Sequence, residues 1–311
     1  MIAMLIRRRS FLSMAAAAPA MAAGGAKDDI SRAAWSINRS FFVNHRWTNL
    51  DLPRICREDL QINGIEFVNQ FFENPTIRYL QQLKRNLDDH GVTPVLVMID
   101  AEGDMVAKDS TERRQAVVAH RKWVDVAHYL GCHAVRCNLG GGRDSWADDK
   151  DLVSRATDSF GDLLDYASDS GLDVVLENHG GASSDPEIMV AVMNAVNNPR
   201  FGTLPDFGNL NPGSDPYEVI RKIVPWAKGI SVKARWTLDG KHPDYDLAKL
   251  IKICQDSGFH GFWGIESGFD PGKTKNGRAD FSGYSSDEMW TQELKAIERT
   301  KSVIRESLGL G

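Results

Sequence analysis

Apolar positions along this chain follow two rhythms. Short β-branched runs bounded by glycine, proline or polar clusters predict buried strands, and the longer stretches between them, apolar at three- and four-residue spacing, predict amphipathic helices. Strands are expected at 34–38, 62–68, 94–100, 134–139, 174–179, 202–209, 229–235 and 262–266. Helices are expected at 74–90, 110–130, 149–170, 185–196, 216–228 and 245–257, with a last one from Ser286. Asn74-Pro75 and Asp185-Pro186 supply start signals, and Gly91, Gly131 and Gly258 supply stops.

Strict strand–helix alternation without a compositional break predicts a single-domain α/β fold, a closed (β/α)8 TIM barrel. An open doubly wound sheet is the structural rival, but no glycine-rich dinucleotide turn follows the first strand. The run Gly140-Gly141-Gly142 lacks both the lysine of a phosphate loop and the dinucleotide spacing, and reads as a loop beside a ligand.

Several of these strands end in groups able to move protons or bind cations, where parallel α/β folds keep their chemistry. The run Val174-Val175-Leu176-Glu177-Asn178-His179 is the clearest, and period-two alternation puts Val175, Glu177 and His179 on one face. Pro94–Asp100, Gly202–Asp206 and Phe262–Glu266 also close on carboxylates, while Ser231, Lys233 and Arg235 share a face of the seventh strand. Barrel closure would bring Glu177, Asp206 and Glu266 to one mouth. Three carboxylates meeting there must take up protons, find cationic partners or bind a metal. Oxygen ligands suit Mg²⁺ or Mn²⁺, and an imidazole in the set would favour Mn²⁺, Co²⁺ or Zn²⁺. Glu66 and Arg136 end two other strands, either as substrate contacts or as a barrel-end ion pair. His45 and Trp47 lie on an early loop, where an aromatic could stack on a ring of the ligand or simply pack. His90, His120 and His128 read as surface or packing residues. The segment 269–286, with Lys273, Lys275 and Arg278, reads as a lid or a solvated insertion.

Composition narrows the partners. The 311 residues carry a formal net charge of −5, which supplies no basic field for nucleic acid or an anionic membrane, so a small molecule is the expected partner. Residues 1–26 form a different segment: Arg7-Arg8-Arg9-Ser10-Phe11-Leu12, a short alanine-rich stretch, then Ala20-Met21-Ala22. A basic start, a brief apolar stretch and a small-x-small end predict a secretory signal too short to span a bilayer, and the paired arginines resemble a twin-arginine signal. The mature chain, 27–311, is then expected in the periplasm or secreted, with no stable membrane insertion after cleavage. Cys56, Cys132, Cys137 and Cys254 show no metal-type spacing and read as buried thiols.

The motifs Leu176-Glu177-Asn178-His179-Gly180, Pro205-Asp206-Phe207-Gly208-Asn209, Pro225-Trp226-Ala227-Lys228 before a Val232-Lys233 strand, and Gly258-Phe259-His260-Gly261-Phe262-Trp263-Gly264-Ile265-Glu266 together resemble the xylose isomerase-like TIM barrels, the sugar phosphate isomerase/epimerase superfamily. The resemblance runs from about residue 30 to the C-terminus and is strongest over 171–267. It implies that Glu177, Asp206 and Glu266 are three of four metal ligands, that Glu177 and Glu266 act as acid and base beside a carbonyl, and that Lys233 holds a hydroxyl or an oxyanion. Glu66, Arg136, His179 and Asn209 become candidate substrate contacts. The fourth ligand of the family pattern is a histidine where this chain has Ser231, and Asn209 replaces another histidine common there. The resemblance thus implies an isomerase or epimerase acting on a carbohydrate or cyclitol with a divalent metal. The alternatives are a 3-keto-glycoside lyase on the same scaffold and a non-catalytic carbohydrate-binding barrel that has lost its metal. A DNA-repair nuclease fits poorly with the acidic balance and the scarcity of zinc-binding histidines.

Overall fold

The structure is a computed structural model in which residues 27–141, 146 and 148–310 are described. The expected signal segment and Gly142 lie outside them. Eight parallel strands form one sheet: β1 Asp29–Ala33, β2 Gly64–Val68, β3 Thr93–Ile99, β4 Ala134–Cys137, β5 Asp173–Glu177, β6 Phe201–Leu204, β7 Ile230–Trp236 and β8 Phe262–Phe269. Their order is β6-β5-β4-β3-β2-β1-β8-β7. Two isolated parallel bridges, Thr203 to Ala227 and Asp206 to Ser231, join the ends and close the ring. This is a single-domain (β/α)8 barrel.

The nine helices among the described residues are α1 Asn38–Phe42, α2 Leu52–Arg54, α3 Ile77–His90, α4 Ser110–Leu130, α5 Leu152–Ala167, α6 Pro186–Val196, α7 Pro216–Ile223, α8 Leu247–Asp256 and α9 Ser286–Leu308. Their boundaries follow local chemistry. The α4 N-cap Asp109 accepts the amides of Thr111 and Glu112, and Ser285 forms a capping box with Glu288 at α9. The first helix–strand unit is irregular, since short turns replace one long helix between β1 and β2.

Strand positions differ from the sequence expectation at the first and fifth strands and beyond the eighth. The first strand is Asp29–Ala33, not 34–38; Ala34–Ile37 is a 3-10 turn. Its Ser36 hydroxyl donates to the Ile265 carbonyl and accepts the Ser267 amide, both at 2.9 Å, so this turn is tied to β8 by a side chain instead of a ladder. The fifth strand stops at Glu177, short of His179. Residues 274–279 form a two-stranded hairpin, β9 Thr274–Lys275 and β10 Arg278–Ala279, beyond β8. All four cysteines are buried and unpaired.

Candidate active site

Alternation along β2, β4, β5, β7 and β8 turns Glu66, Arg136, Glu177, Lys233 and Glu266 into the barrel, and Asp206 joins them two residues past the end of β6. The Glu177, Asp206 and Glu266 carboxylates each offer an oxygen, all within 4.8 Å of one another. Glu177 and Asp206 are fully buried, so water does little to separate their charges.

The protein compensates this acidic cup from two sides. Lys233 donates from Nζ to Glu266 Oε1 and lies 3.6 Å from Asp206 Oδ2. Burial works against its charge, but Asp206, Glu266 and Glu177 outweigh burial and hold the ammonium protonated. Gly208 leaves room for the lysine stem, because a Cβ there would sit 2.9 Å from Lys233 Cδ. On the other side, Arg136 Nε lies 2.7 Å from Glu177 Oε2. Neither atom has a hydrogen-bond partner, so this is a charge contact without an aligned N–H···O bond. Arg136 also donates to Asp100 Oδ1 at 2.6 Å. Burial pushes the Glu177 carboxyl well above its ordinary pKa; Arg136 opposes this, while Asp206 and Glu266 add to it.

Asp206 is the most tightly specified of the three. Its Oδ1 accepts the Gly208 and Asn209 amides at 2.8 and 2.7 Å, and its Oδ2 accepts the Ser231 hydroxyl at 2.8 Å. Asn178 completes the clamp, its Nδ2 donating to the Asp206 carbonyl at 2.8 Å and its Oδ1 accepting the Asp206 amide at 2.7 Å. Asn209 then reaches across, its Nδ2 donating to Glu177 Oε1 at 3.0 Å.

The remaining sequence candidates fall outside this cup. Glu66 lies on the inner wall, fully buried, with Ser31 Oγ donating to its Oε1 at 2.6 Å and no partner on Oε2. Burial raises its pKa to about 7. Arg136, read from sequence as a sugar contact or an ion pair, is held by Asp100 and Glu177. His179 stands exposed at the rim, where crowding on its inner side and the Arg136 charge lower its pKa. Trp47 packs edge-on against Trp290, with their ring centroids 5.2 Å apart.

Two residues at this end of the barrel had no assigned role in the sequence reading. Asp100, at the end of β3, accepts from Arg136, from Asn138 Nδ2 at 2.9 Å and from Trp35 Nε1 at 3.0 Å. Burial opposes its ionisation, but Arg136 outweighs it and holds the pKa near about 2. Trp35, fixed by that bond, lines a cleft of about 810 Å³ whose inner end carries Lys233 and Glu266 and whose walls include Tyr245, Phe269 and Phe281. A carboxylate at a strand end was a signal for Asp100; nothing in the local pattern marks Trp35. Glu177 and Asp206 do not line this cleft, since Lys233, bridging Glu266 and Asp206, lies between.

A model of the xylose isomerase-like TIM barrel family matches residues 58–299. The chain belongs to that family. Among solved structures, an L-ribulose 3-epimerase superposes with a TM-score of 0.69 at 16% identity, covering 91% of this chain and 95% of its own. A D-allulose 3-epimerase from Methylomonas sp., in complex with D-allulose, gives 0.67 at 13%, covering 91% and 98%. A xylose isomerase-like TIM barrel protein from Mycobacterium smegmatis, in complex with magnesium, gives 0.60 at 15%, covering 89% and 97%. No curated protein matches this sequence. At these identities the structures share the barrel, and the chemistry must be argued from the side chains above.

Proposed function

We propose that this chain is an exported enzyme of the sugar isomerase/epimerase type, moving a proton at the carbon beside a carbonyl of a carbohydrate or cyclitol. The observation that carries the reading is the convergence of Glu177, Asp206 and Glu266 on one another, with Glu266 at the inner end of a cleft of about 810 Å³. Glu266 lines the cleft, where a substrate can reach it, and is paired with Lys233; it is the carboxylate placed to remove a proton. Glu177, whose pKa burial raises, is the group suited to the opposite task of returning a proton. Lys233 covers Glu177 from the cleft, so that return requires the ammonium to turn toward a substrate oxygen, where it would also stabilise developing negative charge. Export rests on the basic and alanine-rich pattern of residues 1–26.

The donors present fit a divalent cation. Three hard carboxylate oxygens converge within 4.8 Å of one another, close enough for one ion to reach all three. Glu177, Asp206 and Glu266 would hold the ion, with Ser231 where the family pattern has its fourth ligand. When bound, such an ion polarises the substrate oxygens and steadies an enediolate.

The test follows solvent deuterium into a panel of ketoses and keto-glycosides by NMR, with and without added Mg²⁺ or Mn²⁺. Exchange at the carbon beside the carbonyl is expected, falling at least about 100-fold in Glu177→Gln and Glu266→Gln. Absence of exchange under every condition would sink the reading. A second reading, elimination from a 3-keto-glycoside, draws support from the cleft's extension past Glu266 toward Trp35 and Phe281. The same spectra would then show release of the aglycone.

A further inference from the structure

Along the cleft nearly every charge has a partner. Lys233 is paired with Glu266, and Arg235 Nη2 lies 3.0 Å from Asp270 Oδ2. Glu293 Oε1 accepts the backbone amides of Arg39 and Ser40 at 3.0 and 3.3 Å, so the start of α1 is already occupied by a carboxyl group. Burial raises that carboxyl to about 7, which weakens it as a counter-charge. Arg39 and Asp244 are the exceptions. The Arg39 guanidinium lines the cleft half-buried and makes no hydrogen bond or close ion pair among the described residues; Glu293 acts on it only at longer range. Its Cζ lies 3.3 Å from the centroid of Phe281, which is itself packed edge-on against Phe269 with centroids 5.2 Å apart. The ring fixes the plane of the guanidinium and leaves its N–H edge to be satisfied from the cleft.

We propose that Arg39 and Phe281 form a subsite for a carboxylate on the part of the substrate remote from Glu266, so that the preferred ligand is an acidic carbohydrate. This rests on the carbohydrate reading above. A planar guanidinium fork matches a carboxylate in two parallel hydrogen bonds, and the ring behind it replaces the hydration that binding removes. Sulfate and phosphate esters would also meet an arginine. Asp244 and Asp270 share the cleft, however, and they oppose a phosphate dianion more strongly than a single negative charge.

The experiment is calorimetric titration of the full chain with D-glucuronate, D-glucose, D-glucose 6-sulfate and D-glucose 6-phosphate, in the wild type, Arg39→Gln and Arg39→Lys. Glucuronate is expected to bind the wild type more tightly than glucose, and to lose about 10-fold or more in Arg39→Gln, with glucose unchanged. Arg39→Lys should fall between, keeping the charge and losing the fork. Equal affinity of glucose and glucuronate, or no effect of either substitution, overturns the subsite while leaving the carbohydrate reading intact. Tighter binding of either ester, lost in Arg39→Gln, overturns the carboxylate assignment. If no sugar binds, neutral or acidic, the carbohydrate reading falls and takes the subsite with it.

Discussion

Replacing Glu66 by Gln should make the protein more stable at neutral pH and have far less effect in mild acid. The carboxyl is fully buried with one hydrogen bond, from Ser31, and burial raises its pKa from 4.5 to about 7. The folded chain therefore binds this proton more tightly than the unfolded chain does. The stability that goes with the bound proton is whole below the unfolded value, drains away as pH rises toward 7, and is gone above it. A shift of that size corresponds to about 3 kcal/mol at full ionisation, from 1.36 kcal/mol per pKa unit. Gln keeps the Ser31 bond to its carbonyl oxygen and never ionises. The stability difference, variant minus wild type, should accordingly grow by about 2.5 kcal/mol between about pH 5 and pH 8. Glu293, shifted the same way, is common to both proteins and cancels. Urea denaturation of both proteins at four pH values across that window measures the difference directly. A difference that stays flat, or that shrinks as pH rises, would refute the claim that Glu66 is buried without an adequate cation.

Two further substitutions probe neighbouring contacts. Gly264→Ala would place a Cβ 2.2 Å from Glu66 Oε1, and should cost about 3 kcal/mol in urea denaturation; Glu66→Ala in the same chain should recover most of it, a coupling that additive costs would contradict. Lys233→Met removes the ammonium from among three carboxylates and should cost about 2 kcal/mol, less than for a fully buried pair because the lysine flank is partly exposed. Millimolar Mg²⁺ or Mn²⁺ should restore part of that loss in thermal melts, and a variant as stable as the wild type without added ions would show that Lys233 does not hold the cup together.

The barrel was legible because its inner strands are apolar on both faces and its helices are bounded by strong caps, as at Asp109 and Gly131 of α4. β1 was misplaced for a physical reason. Ser31 and Arg32 put polar atoms inside it, Ser31 facing Glu66 and Arg32 reaching Cys56, while the more apolar Ala34–Ile37 bends into a turn. Glu177, Asp206 and Glu266 stood out because each follows an apolar run. Their pairing did not. Which carboxylate meets Lys233, which meets Arg136, and that Trp35 swings over the mouth onto Asp100 depend on strands far apart in sequence becoming neighbours across the closed ring.

The replacement of the family histidine by Ser231 gains a structural sense from the place where the ring closes. Among the described residues β6 and β7 share no continuous ladder and are joined by the bridges at Thr203 and Asp206. At the second bridge the Ser231 amide donates to the Pro205 carbonyl at 2.9 Å, the Phe207 amide donates to the Ser231 carbonyl at 3.2 Å, and the Ser231 hydroxyl reaches Asp206 Oδ2. A hydroxyl one bond from Cβ can bind a carboxylate this close to its own backbone. Ser231 thus holds Asp206 in place by a short bond, and Lys233 supplies the positive charge next to it. The bonds that seal the barrel are therefore the same bonds that aim Asp206. Any change at 231 that alters cation binding should also alter the closure of β6 on β7, visible as faster amide hydrogen exchange at Phe207 and Ser231.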